Sequence, residues 1–348
     1  MLAALTRTRA IVNGPSMTRV LNIVGLLLLA VVLLVAGQKI AARGLAFFVQ
    51  ILAYGVADGA IYALVALGYT MVYGIIELIN FAHGDVFTLG AFISLALLPV
   101  FGVVEGKSGG FGIVLPLLAV GVITMLLCAA VNVSIERVAY RPLRGAPRLA
   151  PLITAIGMSS ILEGVMFMWR GPYNLHYPNV LPDARIPLGG GASIGLKDLI
   201  VIASAVLLVV ALSLFINRSK LGKAMRATAQ DRDAAQLMGI DINLTIAATF
   251  FIGAVLAGAG GIIYGLYFNN VDPFLGFLAG LIAFTAAVFG GIGNIPGAAL
   301  GGLMIGIVTS ISDAYFASEW TQVIVFGILI VVLVFRPTGL LGMRVPEK

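Results

Sequence analysis

Long apolar runs separated by short polar loops organise this chain. They lie near residues 20–37, 46–68, 86–103, 113–134, 149–169, 198–216, 246–268, 275–292, 298–314 and 320–335. A run of about 17 to 25 residues, at ~1.5 Å per residue, crosses a hydrocarbon core of about 30 Å. The pattern predicts an all-α fold, a polytopic transmembrane helical bundle of about ten spans. A barrel would show short alternating segments instead. The expected division is an N-terminal arm with an extra hydrophobic span over residues 1–44 and a transmembrane domain over residues 45–348, which carries a polar loop at 217–243.

The first run, Val20 to Gly37, follows Arg7, Arg9 and Arg19 and ends in Val35-Ala36-Gly37. Those flanks suit either a retained span or a cleaved signal peptide, and removal would leave nine spans and an external N-terminus.

Composition agrees with a membrane solvent. The chain is 60% hydrophobic with a mean hydropathy of +1.09, whereas soluble domains are roughly 45–50% apolar. The net charge of +6 resides mainly in loops and lacks interleaved aromatic residues, so it reads as the positive-inside pattern and no nucleic-acid partner is expected. Arg137, Arg141, Arg144 and Arg148 fill one loop, the 217–243 segment holds five more basic residues, and Arg336, Arg344 and Lys348 close the chain. All three groups are expected on the cytoplasmic side, with the C-terminus. The segment from Gly171 to Leu196, rich in proline and glycine, is expected outside; Lys39 and Arg43 dissent from this count by also falling outside.

The 217–243 segment is dense in charge, although only 10% of the chain is charged. Ser219 is a suitable N-cap for a first short helix. Asp231 suits a second, with Asp233 in its first turn and Gly239 at the position that favours a left-handed residue. The second helix, Arg232 to Met238, would present Ala234, Leu237 and Met238 on neighbouring faces as a docking surface.

Candidate chemistry within the apolar runs is sparse. From Ala46 to Ile79 the sequence is predominantly apolar for 34 residues, about 51 Å as a straight helix, so it must tilt or break, with Gly68 and Gly74 as break points. Beyond it lie Glu77, Asn80, His83 and Asp85, with Asp58 in the preceding span and Glu163 in the run from Leu149 to Trp169. Polar groups at membrane depth line a wet path or satisfy helix ends, and both readings stand for these residues. Asn294 completes the path-lining set. Trp169 and Tyr173 suit interfacial anchoring. Cys128, the single cysteine, suits small-residue packing, and glycine pairs four apart at Gly261 and Gly265, Gly276 and Gly280, Gly297 and Gly301, and Gly302 and Gly306 suit close helix approach.

His83 and His176 lie far apart in sequence without neighbouring ligands at metal spacing, and no metal or cofactor is expected. Gly106-Lys107-Ser108 lacks the earlier glycine of a phosphate loop, since that position is Phe101. No catalytic residues are assigned. Competing readings are a proton-coupled carrier using Asp58, Glu77 or Glu163, and a membrane-embedded enzyme.

Asp233-Ala234-Ala235-Gln236-Leu237-Met238-Gly239 resembles the cytoplasmic "E-A-A, three residues, G" motif of ABC importer permeases, with aspartate in place of glutamate. The stretch GYTMVYGIIELINFAHGDVFTLG, from Gly68 to Gly90, is similar to the signature of the branched-chain amino acid permease family of ABC importers. The similarity continues through SIERVAYRPLRG (Ser134 to Gly145), AIGMS (Ala155 to Ser159) and FTAAVFGGIGNIPGAALGGLMIG (Phe284 to Gly306). It covers roughly residues 45–348.

The resemblance implies a non-catalytic permease subunit in a bacterial cytoplasmic membrane, surrounded by membrane lipid. It implies a second related permease subunit, two cytoplasmic ATPase subunits that use the ATP, and an extracytoplasmic solute-binding protein. It further implies leucine, isoleucine and valine as cargo, with urea, short amides or aromatic acids as alternatives, and coupling to the ATPase through Asp231, Arg232, Asp233, Ala234, Ala235, Leu237, Met238 and Gly239.

Overall fold

The computed structural model describes residues 37–105, 111–147, 149–189, 191–316, 318–336 and 338–342. The span expected near residues 20–37, with its retention or cleavage, falls outside them save for Gly37, as do Gly106-Lys107-Ser108, Arg148, Arg344 and Lys348. Among the described residues six helices are long and apolar enough to cross a membrane: α1 (Leu45–Ile76), α3 (Val114–Ile135, continued by tighter and wider turns to Leu143), α4 (Leu149–Arg170), α5 (Leu196–Arg218), α8 (Ile242–Phe268) and α10 (Ile295–Tyr315). Three shorter apolar helices join them: α2 (Ala82–Leu97), α9 (Leu275–Gly290) and α11 (Glu319–Phe335). Two polar helices, α6 (Lys220–Gln230) and α7 (Arg232–Leu237), occupy the charged segment.

Short strands complement the helices. β1 (Leu175–His176) pairs antiparallel with β4 (Asn270–Val271), and β2 (Arg185–Gly189) with β3 (Ala192–Gly195). The proline- and glycine-rich stretch expected outside therefore forms a small cap at one end of the bundle, the hairpin end. The opposite end carries α6, α7, the Arg137 to Arg144 loop and the C-terminal segment up to residue 342, and is called here the coupling end.

Helices α1 and α8 form the buried centre, while the outward faces of α3, α4 and α5 are apolar and exposed. In lipid there is no hydrophobic gain between helices, so close backbone approach supplies the contact energy. The glycine pairs serve it: Gly302 and Gly306 of α10 lie against Ala63 and Gly59 of α1, Gly301 lies against Ala286 of α9, and Gly261 of α8 against Phe87 of α2. Cys128 is fully buried against Gly258.

One expectation is corrected. Gly68 and Gly74 do not break the first long run: α1 is continuous for 32 residues, about 48 Å, and ends at Glu77. At Gly68 the missing side chain leaves room for a neighbour. The imidazole of His83 occupies the position a side chain at Gly68 would take.

The two central helices are followed by matching units. Each ends in a non-glycine residue with left-handed backbone, Glu77 (φ 54°) after α1 and Asn269 (φ 54°) after α8, the two such residues among those described. Each is then followed by a few non-helical residues and a 16-residue helix, α2 or α9, about 24 Å long and short of a full crossing. Both begin inside the bundle. His83 packs on Gly68, eight residues before the end of α1, about 12 Å along its axis. A Cβ on Gly84 would sit 2.9 Å from Cα of Gly280, so the first turns of α2 and α9 meet. From there α2 rises to the hairpin end, where the Tyr177 hydroxyl donates to Ser94 at 3.0 Å. α9 descends to the coupling end, where Leu341 N–H donates to Gly290 O at 3.0 Å.

Candidate functional site

Three groups of polar residues, at three depths, make up the candidate path-lining set. Nearest the hairpin end, Asp58 of α1 accepts from the Ser310 hydroxyl of α10 at 2.9 Å. Midway, fully buried Asp85 in the first turn of α2 accepts from Ser159 of α4, and Glu163 lies one turn further along that helix. His83 is fully buried beside it, edge-on to the Tyr69 ring at 4.9 Å. The meeting first turns of α2 and α9 surround Asp85 with the partial positive charge of two helix N-termini, which accounts for a carboxyl group at this depth.

The coupling end holds the third group. Glu77 is exposed at the end of α1, and Asn80 is buried, its side-chain carbonyl accepting from the Tyr140 hydroxyl at 2.7 Å. Asn294 is the N-cap of α10: it accepts from Gly297 N–H at 2.9 Å and donates to Leu341 O at 2.7 Å. The structure thus brings His83 and Asp85 together, puts Asn80 below them, and separates Asp58 and Asn294 from both.

The charged segment folds as its caps dictate. The Ser219 hydroxyl accepts from Gly222 N–H at 2.8 Å, and Asp231 accepts from the N–H groups of Asp233 and Ala234, each at 3.0 Å. Gly239 takes φ 80°, where a side chain would be strained, and closes α7. Ala235 is buried under α7, whereas Leu237 and Met238 are 88% and 82% exposed at its tip, with Ala234 exposed beside them. Arg232 turns inward and donates to Ile75 O at 2.9 Å, joining α7 to the last turn of α1.

Beneath this joint lies a cavity of about 420 Å³, bounded by the end of α1, the Glu136 to Arg144 turn, α6 and α7, and α8. A π-helical turn, Glu136–Tyr140, directs both of its end residues inward. Fully buried Glu136 accepts from Arg144 and faces Arg141 at 3.8 Å. Arg144 also donates to Asn243 at 2.6 Å. Desolvation pulls the Arg144 guanidinium below its ordinary value, Glu136 opposes this, and the nearby charges of Arg141 and Arg232 reinforce it.

Glu136, Tyr140, Arg144, Ser159, Thr228 and Ser310 were not singled out from sequence as site residues. Glu136 carried a usable signal, an acidic residue directly following an apolar run. Ser159 and Ser310 carried none, since hydroxyls are ordinary within membrane helices, and Thr228 carried none because it is one polar residue among many in α6.

Known proteins place this architecture. A family model described as branched-chain amino acid transport system / permease component matches residues 51–334, a range running from α1 to α11. The chain belongs to that family. It is 44% identical over 307 residues to the high-affinity branched-chain amino acid transport system permease protein BraD of Pseudomonas aeruginosa, covering 86% of this chain and 98% of that protein. It is 41% identical over 307 residues to the corresponding protein LivH of Escherichia coli, covering 87% of this chain and 98% of that one. Family membership and the apolar helices together make it a multi-pass membrane protein and a transport subunit.

Proposed function

We propose that this chain forms part of the translocation path for branched-chain amino acids, leucine, isoleucine and valine, in an ATP-driven importer of a bacterial cytoplasmic membrane. The coupling end faces the cytoplasm, together with the C-terminus. The chain itself binds no cofactor. A second related permease completes the path, an extracytoplasmic binding protein delivers cargo at the hairpin end, and two ATPase subunits act at the coupling end.

The capped helix α7 carries this reading. It is held from within by Ala235 and Arg232 and offers Leu237 and Met238 outward, the arrangement of a small lever that a soluble partner can grip. Closure of the ATPases would push α7, and the Arg232 to Ile75 bond would pass that displacement to the end of α1 and the re-entrant residues Glu77 to Asp85 behind it. Asp58, Glu77, Asn80, His83, Asp85, Glu163 and Asn294 are the path-lining candidates, with His83 and Asp85 the strongest because they sit where the two short helices meet.

Replacing Ala235 by glutamate or Gly239 by valine tests the coupling role. ATP-driven leucine uptake by the reconstituted importer is expected to be lost, while the variant still inserts and purifies. Uptake at the unaltered rate would remove α7 from the coupling path.

A further inference from the structure

Helices α3, α4 and α5 each turn a face out of the bundle, and the three faces are not alike. Those of α3 and α5 are dominated in their middle turns by large aliphatic side chains, Leu118, Val122 and Leu126 on one and Val206, Leu207 and Val210 on the other. Such faces suit lipid tails. The middle turns of α4 expose Gly157, Ser160 and Gly164 among Ile153, Ile156 and Ile161, and half-buried Glu163 stands at the edge of the same face.

Against lipid this α4 face would be costly. Among the described residues nothing donates to the Glu163 carboxyl group, and the charged side chain it senses is another acid, Asp85. An ionisable group beside hydrocarbon is strongly disfavoured and normally turns to protein or to a wet cavity. Glycine inside a helix is also unfavourable unless it lets a neighbouring helix come close. Gly59, Gly261, Gly301 and Gly306 meet that condition within this chain, each against the backbone of another helix. At Gly157 and Gly164 no neighbouring atom lies within 4 Å of the place a Cβ would take.

The contact these residues suit is therefore not made within the described chain, and it lies at mid-membrane depth. A soluble binding protein at the hairpin end or ATPases at the coupling end would not reach it. A second membrane-spanning chain would.

We propose that the outward face of α4 is where the second permease subunit packs, helix on helix, over Gly157, Ser160 and Gly164. The inference rests on the transport reading above and adds to it the face on which the two permeases meet. Glu163 then borders a seam between two proteins, open to water or to a partner's donor, instead of lipid. Ser159 of the same helix donates to Asp85 of α2, so the seam passes within one helix of the point where α2 and α9 meet.

Photo-crosslinking in the complete, purified importer tests this. With Ile161 of α4 replaced by p-benzoylphenylalanine, illumination should join the chain to the second permease; the same probe at Leu118 of α3 or Val210 of α5 should not. Gly164→Leu projects into space that this chain leaves open, so the variant alone should elute as the same monodisperse species as the parent. The second permease recovered with it should fall about tenfold or more, whereas Val210→Phe should leave that recovery unchanged.

Adducts from Leu118 or Val210 with none from Ile161, adducts of Ile161 with lipid alone or with a second copy of this chain, or full recovery of the partner with Gly164→Leu would overturn the proposal. If no second permease copurifies with the unaltered chain, the transport reading itself fails and this inference falls with it.

Discussion

The α1–α2 and α8–α9 units share a plan but are fastened differently. Each is a long buried helix, a left-handed exit residue and a short helix that starts midway. The exit from α8 is stapled: Asn270–Val271 pair with Leu175–His176, Tyr177 N–H donates to Asn269 O at 3.0 Å, and the Tyr177 ring fills the space beside Gly265. The exit from α1 has no strand partner among the described residues. It is held by side-chain bonds, from Arg232 of α7 to Ile75 and from Tyr140 to Asn80, and opens on a polar cavity. One exit is fastened along a strand and the other by isolated side-chain bonds. On the coupling proposed through α7, the α1–α2 unit is the one that would receive the force.

The largest disruption should come from the junction that both units share. Gly84→Leu would drive a side chain into the backbone of Gly276 and Gly280, an overpacking expected to cost about 3 kcal/mol. Fluorescence-detected size exclusion should show the loss of the monodisperse peak, and a variant as heat-stable as the parent would mean the two first turns do not meet.

Next in size is the contrast between the two fastenings. Arg232→Ala removes a charge-assisted bond of roughly 1.5–3 kcal/mol. It should lower ATP-coupled uptake about tenfold with little change in melting temperature, because α7 is small and local. Tyr177→Phe removes the hydroxyl bond to Ser94, should cost about 1 kcal/mol of stability and should leave uptake near its starting rate. If the tyrosine variant lost more uptake than the arginine variant, the assignment of the movable unit would be reversed.

The sequence displayed this fold well where hydrophobicity alone decides it. The nine runs after residue 45 reappear as nine apolar helices, seven of them within a few residues of their expected ends, whereas the first runs on eight residues to Ile76 and the second covers Ala82–Leu97 instead of 86–103; Ser219, Asp231 and Gly239 cap and close the polar helices as expected. Depth was not legible. Both 16-residue helices read as ordinary spans, because apolar content cannot show that a helix starts midway; that follows from which backbone Gly84 approaches. Gly68 likewise read as a weak point in α1, although it provides the space that the His83 imidazole fills. The candidate site was legible as a set of residue types but not as a grouping, since Asp58 and Asp85 are served by hydroxyls on helices far away in sequence.

The smallest expected effect concerns the hairpin end and acidity. Asp183 is held below its ordinary value of 3.8, first by its hydrogen bond to Lys197 and then by Asn179. A carboxylate so lowered stabilises the fold above that ordinary value, and the contribution fades as pH falls through the lowered one. Amide exchange over residues 185–195, compared between the parent and Asp183→Asn, should differ near neutrality and converge in acid. A difference that persists in acid would show that this ion pair is not what secures β2 and β3.

Lys39 and Arg43, the two cations on the wrong side of the charge count, donate to the carbonyls of Tyr315 and Ala314 at the close of α10. These carbonyls are synthesised more than 270 residues later. During biogenesis Lys39 and Arg43 must therefore wait for these partners until nearly the whole polypeptide has left the ribosome, so the flank ahead of α1 is among the last parts to reach its final place.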